Sequence, residues 1–166
     1  MNLLPFLVLL ALCACSGGGP EETPRGTSLF SGFSISETDS NAARWRLDAP
    51  TASMEDLEGR MAFSEPVIQF YDKNNVSSVI KARSGLLEPS KKSAVLSTDV
   101  SVNAIKDGML LKTEKLYYSS SKGKIWTDEK VTLIRGKTVI KGKGFTANPD
   151  LSEIEIEHQE TKITGK

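Results

Sequence analysis

A chain of 166 residues is long enough for one domain with its own core. Lysine plus arginine and aspartate plus glutamate both number 21, so no global charge favours nucleic acid. The single histidine, His158, excludes a histidine metal cluster and leaves at most one imidazole for acid–base work.

In chain order, the first 14 residues, MNLLPFLVLLALCA, carry no charged side chain. Their apolar run is shorter than the ~20 residues that span a bilayer and fits a signal-peptide core, although no basic residue precedes it. Cys13 and Cys15 are the only cysteines. Side chains one residue apart diverge too far for an unstrained disulfide, and no soft ligands stand nearby to complete a metal site. Leu12-Cys13-Ala14-Cys15 resembles a bacterial lipobox, in which the small Ala14 precedes the cysteine that receives lipid. Residues 1–14 are therefore expected to leave as a signal peptide, with Cys15 the lipidated end of the mature chain. The plainer alternative is a secreted protein with a spare thiol. SGGGPEETPRGTS, residues 16–28, has almost nothing to bury and reads as a flexible tether to a domain at 29–166.

The domain has the texture of strands and turns. Val100-Ser-Val102, Val131-Thr-Leu133 and EIEIE at 153–157 alternate apolar with polar, the period of a half-buried strand. Turn chemistry recurs at Asp72–Asn75, Pro89–Lys92, Lys106–Gly108, Ser119–Gly123, Arg135–Gly136 and Asn148–Asp150. SMEDLEGRM, residues 53–61, is the best helical stretch, and it is short and ends beyond a glycine. A loose repeat places Ala49 on Ala82 on Thr113, Val100 on Val131, and Val102 on Leu133. Units of this kind bury their apolar faces only by stacking. The pattern predicts an all-β fold, a twisted jelly roll or open two-sheet sandwich of short antiparallel strands.

Catalytic constellations are lacking. His158 falls in the outward register of EIEIEHQE, and the serines at 34, 36 and 119–121 have no base partner in sight. Glu55-Asp56 and Asp128-Glu129 read as solvated turn charges, and no glycine-rich phosphate loop opens a helix. The expected function is binding, with no catalytic residue, metal or cofactor. Charge is uneven: ten Lys/Arg against four acids lie between Lys106 and Lys143, and five acids against two lysines from Gly144 onward. That basic middle suits phosphorylated lipid or an anionic membrane, or simply solvated strand faces.

A jelly roll with parted sheets would present an apolar groove for acyl chains. Its candidate lining is Trp45, Leu47, Phe63, Val67, Phe70, Val79, Leu96, Val100, Val102, Leu116, Trp126, Val131, Leu133, Ile140 and Phe145. Periodicity does not distinguish this groove from a closed core, since both bury the same faces.

The segments ARWRLDAPTA (43–52), SEPVIQFYDKNN (64–75), VIKARSGLL (79–87), VLSTDVSVNA (95–104), LLKTEKLYY (110–118), IWTDEKVTLIRG (125–136) and IKGKGFTANPDL (140–151) resemble, in this order, the LptC family. The resemblance covers about residues 30–165. It implies an OstA/LptA-like jelly roll in the periplasm that receives lipopolysaccharide from an inner-membrane ABC transporter and passes it to an LptA-like jelly roll. Contacts of this type are strand additions at sheet edges. The N-terminal edge, with Phe33, Ile35 and Leu47, would face the transporter. The C-terminal edge, with Ile154, Ile156 and Ile163, would meet the LptA-like partner. Membership implies no nucleic-acid partner and no enzymatic step. Family members usually carry an N-terminal transmembrane helix, whereas lipid on Cys15 would anchor this chain, and Ser16 leaves inner and outer membrane both open. A structural envelope lipoprotein, its closed β-sandwich an interaction scaffold, is the competing expectation.

Overall fold

The computed structural model describes residues 28–39, 42–55 and 59–163, with the side chains of Ala42, Glu55 and 160–163 set aside. The expected signal peptide, the lipidated Cys15 and the tether up to residue 27 lie outside the described residues. The described chain forms β1 (Ser28–Asp39), β2 (Ala42–Glu55), β3 (Arg60–Ser64), β4 (Val67–Asp72), β5 (Asn75–Lys81) and β6 (Ser84–Glu88). A single 3₁₀ turn, Pro89–Lys91, then leads to β7 (Ser93–Ala104), β8 (Met109–Ser119), β9 (Lys124–Arg135), β10 (Thr138–Ala147), β11 (Ile154–Ile156) and β12 (Glu160–Ile163). The stretch 53–61 supplies the end of β2 and the start of β3, not a helix.

All pairings are antiparallel, and the long strands serve two layers. β2 pairs with β4 through Trp45–Asp48 and with β3 through Thr51–Glu55. β7 pairs with β6 through Ser93–Ser97 and with β5 through Ser101–Ala104. The front layer holds β4, β5, β12 and one half of each long strand; the back layer holds β3, β6, β11 and the other halves. Strands pass between layers along one seam, where extended geometry is broken. Thr98 and Asp99 of β7 both adopt positive φ, Gly144 of β10 has φ +84°, and Gly32 of β1 has φ +63°. This is a β-jelly roll, as the strand periodicity predicts.

The core lies between the layers. Leu47, Ile80, Leu96, Val102, Leu111, Leu116 and Ile125 are almost wholly removed from water. Each such side chain contributes roughly 1.5–3 kcal/mol. Two glycines explain why β10 reads IKGKGF. The chain at 156–158 crosses over β10, joined by Lys143 N–H to Glu157 O (3.2 Å) and Glu157 N–H to Gly144 O (3.1 Å). A Cβ on Gly142 would collide with Ile156 Cγ2 and with the Glu157 carbonyl oxygen.

Gly142→Ala should therefore lower unfolding free energy by more than about 2 kcal/mol in urea denaturation, because backbone and Ile156 must both move. Gly108→Ala, whose Cβ meets open space at φ +61°, should cost only about 1 kcal/mol of left-handed strain. Equal losses would refute the crossing as the cause.

Candidate lipid-binding sandwich

The expected lining residues divide by the face on which they lie. Trp45, Leu47, Phe63, Phe70, Leu96, Val100, Val102, Leu116, Val131, Leu133 and Phe145 are buried together between the layers. Ile140 is half-buried against that cluster. Val67 and Val79 alternate with the inward Ile68 and Ile80, and lie on the outer face of the front layer. Trp126 lies outside the back layer, between the inward Ile125 and Thr127. There it stacks on Tyr117 at 5.5 Å, with Lys122 5.5 Å above its ring. These three side chains therefore do not line the interior.

The interior is filled, and its apolar openings stand at two mouths on the edge opposite the seam. The first, a cleft of about 310 Å³, lies among Ile35, Trp45, Leu87, Pro89 and Tyr118. Tyr118, from the back layer, meets front-layer Phe70 and Trp45 edge-on at 5.1 and 6.4 Å. The second, about 410 Å³, lies among Met109, Leu133, Ile140, Ile154 and Ile156. Between the mouths the β10–β11 turn closes the sandwich. Ser78 Oγ of the front layer donates to Pro149 O at 2.6 Å, and Leu151, at φ +58°, buries its side chain to 1% exposure. A larger depression, about 650 Å³, lies outside at the seam. Two ion pairs line it, Arg46 with Asp48 (2.9 Å) and Arg83 with Asp99 (3.2 Å).

The rim of the first mouth is polar and ordered. Glu37 Oε2 accepts hydrogen bonds from Trp45 Nε1 (2.6 Å) and from Ser120 Oγ (2.7 Å), which ties β1 to the β8–β9 turn. Burial pushes the Glu37 carboxyl up, but those two donors, with Arg44 and Lys92, outweigh it and hold it below the ordinary carboxylate value. Burial, with Glu37 nearby, raises the Tyr118 phenol. Tyr118 was legible from its alternation with Leu116, whereas nothing local marks Glu37, whose partner Ser120 is 83 residues away.

The edge residues fall as follows. β1 pairs only with β2 among the described residues, and its outer edge carries Leu29 at 74% exposure and Phe30. Phe33 packs on Phe63 at 5.5 Å, and Ile35 lines the first mouth. Leu47 sits on β2, one strand in from the edge and buried, so it presents nothing to a partner. At the other end β10 carries β11 on its back-layer half and β12 on its front-layer half. Ile154 and Ile156 are half-buried there, and the side chain of Ile163 lies outside the described ones. His158 is exposed, as are Asp128 and Glu129 beside the seam. No group of three metal-ligating side chains stands together among the described residues.

This architecture defines a class, the bent-strand β-jelly roll. A crystal structure of LptH, the LptA-homologous periplasmic component of the lipopolysaccharide transport device from Pseudomonas aeruginosa, superposes with a TM-score of 0.56. It covers 73% of this chain and 95% of that one at 11% identity, a likeness of fold. The family of LptC-related lipopolysaccharide-assembly proteins matches residues 26–163, and the chain belongs to that family. No curated protein matches the sequence.

The lowered folded-state pKa of Glu37 means its stabilisation is present above the unfolded value near 4.5 and is lost as pH falls through the folded one. Glu37→Gln should cost about 1 kcal/mol in denaturant melts at pH 7. The gap from wild type should shrink toward zero as pH is lowered below the carboxylate range. A pH-independent gap would assign the effect to packing.

Proposed function

We propose that this protein carries lipopolysaccharide across the periplasm, taking it from an inner-membrane ABC transporter and handing it to an LptA-like jelly roll. The observation that carries the reading is a family-matched sandwich with a predominantly apolar interior and two apolar mouths. Acyl chains enter between the layers, and hydrophobic burial supplies their binding energy. This reading asks no covalent step of the chain.

The long β1 edge, open among the described residues, is suited to strand addition on the transporter side. The short β11 and β12 end the opposite edge, where an LptA-like partner extends the sheets. Lipid on Cys15 anchors the domain, and Ser16 leaves the choice of membrane to partner contacts. A second reading, a closed sandwich that scaffolds an envelope complex, draws support from the filled interior and the Leu151 closure.

Photoreactive residues at Ile35, Phe70, Leu133 and Ile154 in living cells separate the two. Lipopolysaccharide adducts are expected at these positions and not at the outward Val79 or Trp126. Protein adducts at β1 and β11 without any lipid adduct inside would favour the scaffold and overturn transport.

A further inference from the structure

The outer face of the front layer carries a further cleft, about 440 Å³, lined by Lys130, Val131, Thr132, Lys141, Gly142, Lys143 and His158. Register places Lys143 directly opposite Lys130, and Lys141 opposite Thr132 on the next outward rung. Cross-strand neighbours on one face stand roughly 5 Å apart at Cβ, where like charges repel. None of the three lysines makes an ion pair among the described residues. The nearest acid on the crossing segment, Glu157, lies against Gly144 instead. Glu160 stands opposite Lys141 in the β12 register. Three ammonium groups, a hydroxyl and an imidazole thus line one notch, with no carboxylate paired to the lysines among the described side chains, to which that of Glu160 does not belong. Such a donor set matches the tetrahedral, multiply charged oxygens of a phosphate.

The notch also adjoins the apolar mouth. Ile140 faces the mouth at Ile154 and Ile156, and the next residue, Lys141, lines the cleft on the other side of β10. Gly142 lines the cleft, and Ile156 of the crossing segment, which lines the mouth, packs against it. An amphiphile with its acyl end in the mouth would therefore reach the lysines with its headgroup by passing the crossing segment beside Gly142, where the β12 pairing of β10 ends.

We propose that this cleft is a phosphate subsite that holds the phosphorylated headgroup of an acylated lipid entering or leaving the second mouth. The inference rests on the transport reading and deepens it, because it assigns headgroup and acyl chains to opposite sides of β10. Charge-assisted hydrogen bonds of this type are among the strong ones, and loss of even one full contact corresponds to about tenfold in affinity.

The test is equilibrium binding of lipopolysaccharide, of chemically dephosphorylated lipopolysaccharide, and of inorganic phosphate to the whole protein. The triple variant Lys130→Gln/Lys141→Gln/Lys143→Gln should bind the phosphorylated lipid at least about tenfold more weakly and with a shallower salt dependence. Its affinity for the dephosphorylated lipid should change less than about twofold. A charge-matched control, Lys73→Gln/Lys81→Gln/Lys106→Gln, should leave both affinities unchanged, since these exposed lysines lie away from the cleft. Equal weakening by the control would reduce the effect to net charge and overturn the subsite. Wild-type protein that binds both lipid forms equally, with the triple variant unaffected, would overturn the subsite while transport stands. Wild-type protein that binds neither lipid form would overturn transport and the subsite together. Saturation by submillimolar inorganic phosphate would assign the cleft to the free ion and overturn the lipid headgroup.

Discussion

The backbone of β7 leaves extended geometry at Thr98 and Asp99, and this departure lets one strand hydrogen-bond in both layers. Two consecutive non-glycine residues at positive φ cost roughly 1–2 kcal/mol each. The bend returns that cost by facing two apolar halves toward each other. Arg83 secures the corner, its N–H donating to Thr98 O at 3.0 Å and its side chain to Asp99. The seam also decides where the molecule opens. Layers joined along one edge part at the opposite one, so both mouths and the strap that closes the space between them lie there. Site position thus follows from backbone geometry more than from any single side chain.

The same bends explain what was legible beforehand. Within each half-strand, alternation reads correctly: Trp45, Leu47 and Ala49 point inward together, as do Leu116 and Tyr118. Across a bend the parity changes. Inward positions are odd in the first half of β8, at Met109, Leu111 and Thr113, and even in the second. Gly144 makes the same change in β10, which turns Phe145 and Ala147 inward after the outward Lys141 and Lys143. Trp126 departs from the expected lining for another reason: its register between the inward Ile125 and Thr127 puts it outside, where Tyr117 and Lys122 cover the ring. Val67 and Val79 likewise lie outward because they alternate with the inward Ile68 and Ile80. The repeat of Val100 on Val131 and Val102 on Leu133 reflects equivalent inward positions of β7 and β9. Contacts such as Glu37 with Ser120 and Ser78 with Pro149 join residues 83 and 71 positions apart. They depend on how the layers close, which no local pattern encodes.

A filled interior and a lipid carrier are compatible if closure is inexpensive, and the strap is weakly held by design of its own backbone. Leu151 gains roughly 1.5–3 kcal/mol from burial, and the Ser78–Pro149 hydrogen bond adds about 1. Against that, a left-handed leucine gives back roughly 1–2 kcal/mol of strain. The net hold is therefore about 2 kcal/mol, which burial of roughly three acyl methylenes would offset. On the transport reading, an acyl chain entering from either mouth would replace Leu151 apolar contact for apolar contact. The glycine-lined crossing at 156–158 is anchored differently, by two backbone hydrogen bonds and tight packing on Gly142. It holds the C-terminal edge more firmly than the strap beside it is held. That contrast sets a firmly anchored C-terminal edge beside a more weakly held strap.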